Sequence, residues 1–118
     1  MYLGRLALPT MTGIPEIAAA QLRIWLLEPD APVVVDVREP WEVELCRIPD
    51  SVPMPLGSLP NEYMALPSDK PLVIVCHHGV RSRRAAMWLH ARGVERVHNL
   101  TGGIDAWARD VDPDMRTY

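Results

Sequence analysis

Apolar residues along this chain follow two different rhythms. Val33-Val34-Val35 with Val37, and Leu72-Val73-Ile74-Val75-Cys76, are short, nearly continuous apolar runs rich in β-branched residues. Such runs predict strands buried on both faces, as in a parallel sheet. Helical spacing appears at Ile17, Ala20, Ile24 and Leu27, where Pro15 suits a first helical position with Glu16 beside it, and where Pro29 to Pro32 would end the helix. It appears again after Ser82, where Ala85, Ala86 and Leu89 form a stripe and Gly93 offers a stop. Weaker signals predict an edge strand around Tyr2 to Leu8 and a short helix with Trp41, Val43 and Leu45 on its buried face. They also predict a strand from Ser51 to Met54, and a loop from Pro55 to Pro67 with one helical turn around Asn61 to Met64. Val94 to Leu100 reads as the last strand, and Ile104 to Arg109 as a closing helix with Trp107 in the core. Strands alternating with helices predict an α/β domain, its mainly parallel sheet flanked by helices on both faces.

Chemistry concentrates where the second buried run ends. Cys76 closes a strand and is followed by the turn His77-His78-Gly79-Val80-Arg81 and then by a helix. Open α/β sheets place their ligands at such carboxyl ends. Backbone N–H groups from His77 to Ser82 lie ahead of the helix, and Gly79 gives the turn the freedom to converge them into an anion-binding nest. These surroundings favour a thiolate, the nucleophilic form of cysteine. Arg81, Arg83 and Arg84 crowd the first helical turn against the helix dipole, which makes sense if an anion sits there. The plainer reading is a solvated basic face beside an inert buried cysteine. Asp36 and Arg38 end the first buried run at the same sheet edge, and an ion pair that fixes the following loop is expected ahead of a direct catalytic role.

Three stretches carry a resemblance. Cys76-His77-His78-Gly79-Val80-Arg81-Ser82 is similar to the active-site loop of the rhodanese sulfurtransferases. Val33 to Glu39, with Asp36-Val37-Arg38, resembles their first core strand, and Leu100-Thr101-Gly102-Gly103-Ile104-Asp105-Ala106-Trp107 their Gly-Gly-x-x-x-Trp motif. The three occur in that family's order over nearly the whole chain. The resemblance implies a rhodanese-like fold with a central sheet of about five strands. It implies Cys76 as nucleophile, with His77, His78, Gly79, Val80, Arg81 and Ser82 binding substrate and Asp36 and Arg38 in support. Where the family often has His-Ile-Pro-Gly, this chain has Arg47-Ile48-Pro49-Asp50, so no role for that histidine carries over. The tail from Val111 to Tyr118 is similar to the ends of rhodanese-like domains attached to enzymes that activate sulfur-carrier proteins.

With 118 residues, the chain makes one domain, its core about residues 14–109 and residues 110–118 a polar tail. A net charge of −3 gives no general affinity for nucleic acid. Twelve prolines, against an ordinary frequency of about 5%, announce many fixed turns. Two cysteines make no disulfide framework, and no apolar run approaches the ~20 residues of a membrane span, so a reducing, cytoplasmic setting is expected. Arg5 alone supplies positive charge at the N-terminus, and Pro9 and Pro15 interrupt its apolar residues, so no signal peptide is expected. Cys46 reads as an incidental half-buried thiol, with a resolving role as its alternative. His77 and His78 invite a metal, but neighbours in a turn rarely point at one ion; no metal or cofactor is expected. His77 is expected at the mouth of the site, its partial charge adding to the attraction for anions.

The expected function is sulfur transfer from an anionic donor such as thiosulfate, through a persulfide on Cys76, to cyanide, a thiol or a sulfur-carrier protein. Two alternatives stay open. One is a phosphatase or arsenate reductase, which also uses a cysteine in an anion-cradling loop. The other is a non-catalytic binding module, which would need neither Cys76 nor Arg81. Related phosphatases on this fold carry five residues between Cys and Arg, whereas four separate Cys76 from Arg81 here.

Overall fold

The computed structural model describes residues 13–118; the strand expected around Tyr2 to Leu8 lies outside them. Strands β1 (Glu16–Ile17), β2 (Val33–Asp36), β3 (Val52–Pro53), β4 (Leu72–Val75) and β5 (Val97–Leu100) form one sheet in the order β1-β5-β4-β2-β3. Every pairing is parallel, with Val35 opposite Ile74 and Ile74 opposite Asn99. Helices α1 (Ala19–Trp25), α2 (Pro40–Leu45), α3 (Leu59–Glu62), α4 (Val80–Ala91) and α5 (Gly103–Asp110) connect or follow the strands.

Alternate side chains of each strand feed two cores, because successive residues of a strand face opposite ways. Val35, Ile74 and Cys76 join Ala85, Ala86 and Leu89 of α4 on one face. Val34, Val73 and Val75 join Leu22 and Trp25 of α1 and Ile104 and Trp107 of α5 on the other. This is the covered parallel sheet that the two apolar runs predict.

Local readings fared less well at the ends of elements. Pro15 and Glu16 do not start a helix: Asn99 N–H donates to the Pro15 carbonyl at 2.9 Å and Thr101 N–H to that of Ile17 at 2.9 Å, which makes Glu16–Ile17 an edge strand on β5. Proline is tolerated there because an edge position does not need its missing N–H. The helix therefore starts at Ala19, and its buried stripe is Ala19, Leu22 and Trp25; Ile24 and Leu27 of the expected stripe are 50% and 83% exposed. In α2 the buried residues are Glu42 and Val43, while Trp41 is exposed. The chain between Pro55 and Pro67 is more helical than expected, with 3₁₀ turns at Leu56–Ser58 and Tyr63–Ala65 around α3. Among the described residues no helix is long and apolar enough to cross a membrane.

The chain runs from β2 outward to β3 on one side of the sheet, and from β4 to β5 on the other. Strand order thus reverses between β2 and β4, which opens a crevice outside their carboxyl ends.

Candidate active site

Cys76 sits in that crevice, one residue beyond the central strand β4 and only 1% exposed. Its Sγ accepts the Gly79 N–H at 3.0 Å and lies 3.3 Å from the Ser82 hydroxyl. Gly79 can turn its N–H onto the sulfur because it holds φ +101°, where a Cβ would press on Gly102 N at 3.2 Å and on the Leu100 carbonyl at 3.3 Å. Val80, Arg81 and Ser82 begin α4, ahead of Arg83, whose N–H bonds the Gly79 carbonyl at 3.3 Å. Their N–H groups are thus first-turn donors without helical acceptors, at the positive end of the dipole.

The second glycine motif holds this loop from behind. Ile104 N–H donates to the Cys76 carbonyl at 2.8 Å and Asp105 N–H to that of His77 at 3.1 Å. The start of α5 thereby ties down the outward carbonyls of the loop. Ser82 also donates to Asn99 Oδ1. Asn99 Nδ2 donates in turn to the Gly79 carbonyl at 3.1 Å and to Glu16 Oε1 at 2.9 Å. One hydroxyl proton on Ser82 thus serves two acceptors, and it reaches Sγ only by leaving Asn99.

The charged residues form a chain of pairs beside the loop. Arg38, fully buried, forks onto Asp36 with Nη2–Oδ2 at 2.7 Å and Nε–Oδ1 at 2.9 Å. It also donates to the carbonyls of Glu42 (3.2 Å) and Cys46 (2.6 Å) and to the Tyr118 hydroxyl (3.0 Å). Burial works against its charge, but the bonds it donates to Asp36 and Tyr118 outweigh it and hold its pKa above the ordinary arginine value. Arg81 places Nη1 at 2.7 Å and Nη2 at 2.8 Å from the two oxygens of Glu42. That fork, opposed by burial and helped by the Tyr118 hydroxyl at 2.6 Å and the Glu39 N–H at 3.0 Å, lowers the Glu42 pKa to about 2. Burial first, and then donation to Glu42, push Tyr118 up to about 12.

Tyr118 is the unexpected member. Its ring stacks on His77 at 3.9 Å and 16°, His77 stacks on His78 at 3.8 Å, and Trp41 meets Tyr118 edge-on at 5.8 Å. The polar tail thus ends against the mouth of the site. Confinement there works against the partial charge expected on His77: burial first, then the neighbouring charge of His78, lower its pKa. His77, His78 and Asp105 each offer a ligand atom within 4.8 Å of the others. They make a grouping that a metal could use, contrary to the expectation that the two histidines diverge.

The structure brings Gly79 N–H and the Ser82 hydroxyl to Cys76 Sγ, turns the Arg81 fork, expected on substrate, onto Glu42, and links His77 and the Asp36–Arg38 pair to that fork through Tyr118. Cys46 contacts Arg38 Nη1 at 3.8 Å and no other side chain by a described hydrogen bond. Sequence reasoning missed Glu42, Asn99 and Tyr118. Asn99 carried a signal, a polar side chain inside the strand Val97–Leu100, since buried polar groups are held by partners. The other two act on residues tens of positions away, which no local pattern encodes.

The protein is thus an all-parallel α/β domain whose central strand carries a cysteine to the first turn of a helix, with one loop N–H on its sulfur. A family model, the Rhodanese-like domain, matches residues 19–110. A sulfurtransferase of Allochromatium vinosum is 38% identical over 96 residues, covering 81% of this chain and 90% of that protein. The thiosulfate sulfurtransferase GlpE of Pseudomonas syringae is 41% identical over 75 residues, 64% of this chain and 71% of its own. A rhodanese-related protein of Thermoplasma volcanium superposes with a TM-score of 0.75 at 32% identity, over 81% and 92% of the two chains. The chain belongs to the rhodanese-like domain family, whose relatives include sulfurtransferases.

Proposed function

We propose that this protein moves a sulfane sulfur from an anionic donor to a nucleophilic acceptor through a persulfide on Cys76. The observation that carries the reading is the Gly79 N–H donated to Sγ at 3.0 Å, at the start of α4, with the Ser82 hydroxyl 3.3 Å from the sulfur. With thiosulfate, the Cys76 thiolate attacks the outer sulfur and a new S–S bond forms. The old S–S bond breaks, and its electron pair leaves on sulfite. The enzyme keeps the sulfur as Cys76–S–S⁻, and charge is conserved. A thiol, cyanide or a sulfur-carrier protein then attacks the terminal sulfur and restores the thiolate. The loop N–H groups stabilise negative charge on the persulfide without reorganising, as preorganised donors do. The turn of four residues between Cys76 and Arg81 is a tight ring, suited to one sulfur atom rather than to a tetrahedral phosphate. Resemblance of the tail supports a protein acceptor.

Intact mass after incubation with thiosulfate tests the reading. The protein should gain one sulfur, lose it to cyanide, and hydrolyse no aryl phosphate. Cys76→Ser should gain none, and Cys46→Ser should gain it as the parent does. Cys76-dependent phosphatase activity without sulfur uptake would overturn the assignment.

A further inference from the structure

The cations that the loop sequence suggests for an anionic donor are already matched. Arg81 gives both terminal nitrogens to Glu42, Arg38 is spent on Asp36, and Arg83 Nε pairs with Glu16 at 3.0 Å. Arg84 lies instead in a groove with Leu56, Leu59, Pro60 and Trp88. What remains at Sγ is the Gly79 N–H, the Ser82 hydroxyl 3.3 Å away and the start of α4, whose dipole is worth a fraction of one positive charge. Glu42 is held in place by more than Arg81: its carboxylate is 4% exposed and also accepts Tyr118 Oη and Glu39 N–H.

A donor with two negative charges therefore brings one more than this ring can match, and an unmatched charge in a desolvated site is costly. The persulfide group carries at most one charge, on the sulfur to be transferred. We propose that Glu42 is a specificity-determining residue: by occupying the Arg81 fork it biases the site towards singly charged or neutral persulfide donors over doubly charged thiosulfate. The inference rests on the sulfur-transfer reading above. For a donor R–S–SH, the Cys76 thiolate attacks the outer sulfur, the donor's S–S bond breaks with its electron pair leaving on R–S⁻, and the proton stays on the transferred sulfur. No oxidant or reductant enters.

The test compares kcat/KM for thiosulfate and for cysteine persulfide, whose ammonium and carboxylate cancel and leave at most one net charge, with cyanide as acceptor. Glu42→Gln keeps the shape and the bond from Glu39 N–H but loosens its hold on Arg81. The ratio of thiosulfate to persulfide efficiency should rise about tenfold, the worth of one charge-assisted hydrogen bond, mainly through a lower KM for thiosulfate. In an Arg81→Ala background the same change should leave the ratio where it was. An unchanged or lower ratio in Glu42→Gln, with sulfur loading intact, overturns the role of Glu42 alone; failure of the parent protein to load sulfur from either donor overturns the underlying reading. Should Glu42→Gln not fold, the parent protein suffices. Its thiosulfate kcat/KM should change little more than its persulfide kcat/KM between about 0.01 and 0.15 M ionic strength, and a steep selective fall for thiosulfate would show an unmatched cation and refute the proposal.

Discussion

Gly103→Ala is the sharpest structural test of how the nucleophile is held. A Cβ built on Gly103 would stand 2.4 Å from the Cys76 carbonyl oxygen and 2.5 Å from that of His77, both backbone atoms, and the residue sits at φ +60°. Left-handed backbone costs an alanine ~1–2 kcal/mol. The two carbonyls must also retreat by about 0.6 Å to reach even the tightest contact real side chains show. That retreat stretches the bonds from Ile104 N–H and Asp105 N–H, each worth ~0.5–1.5 kcal/mol net. The sum is a loss of ~2–5 kcal/mol, readable by urea unfolding of a domain small enough to be two-state. Displacement of the residue that carries the sulfur should also slow persulfide formation by ~10–10², since a shift of about 1 Å can cost 10². Two controls separate the causes. Gly93→Ala, at φ +91° with open space, should show only the backbone cost, and Gly57→Ala, with open space and no positive φ, should be within ~0.5 kcal/mol of the parent. If Gly103→Ala is no worse than Gly93→Ala, the α5 turn does not brace the loop.

Acid should weaken the domain through Glu42. Its folded pKa of about 2 lies below the ordinary 4.5, so its contribution is whole above pH 4.5 and is lost as pH falls towards 2. Allowing for solvent around the partly exposed Arg81, that contribution is ~1–3 kcal/mol, and the stability gap between the parent and Glu42→Gln should narrow over this range; a constant gap would refute it. Tyr118→Ala, which strips the ring from His77 and one donor from Glu42, should speed alkylation of Cys76 by iodoacetamide, and an unchanged rate would mean that the tail does not guard the sulfur.

What could be read in advance was what neighbours in sequence decide. Leu72 to Gly93 spells a buried strand, a turn that needs glycine and a helix within one short span, so Cys76 and its N–H ring were legible from local pattern alone. Asp36 and Arg38 were legible for the same reason, being two residues apart. The stripe of α1 was misplaced because Pro15 and Glu16 make an equally good helix start, and only pairing with Asn99 and Thr101 draws them into the sheet. Glu42 shows the limit most clearly. As the third residue of α2 it caps Glu39 N–H, a local role visible in the sequence, while its grip on Arg81 spans 39 positions. An acid that satisfies a nearby rule gives no sign of a distant second duty.

The outer strands β1 and β3 are two residues long, and the last residue of β3, Pro53, has no N–H to offer. Among the described residues the sheet thus presents almost no unpaired backbone ladder at either rim. A second molecule trying to add a strand finds at most a couple of bonds, and on the β3 rim one of the donors is missing. Brevity and proline are two of the devices by which natural sheets avoid edge-to-edge aggregation. The same economy lets helices cover the faces alone, and leaves the carboxyl ends of β2 and β4 as the part of the sheet open to a visiting molecule.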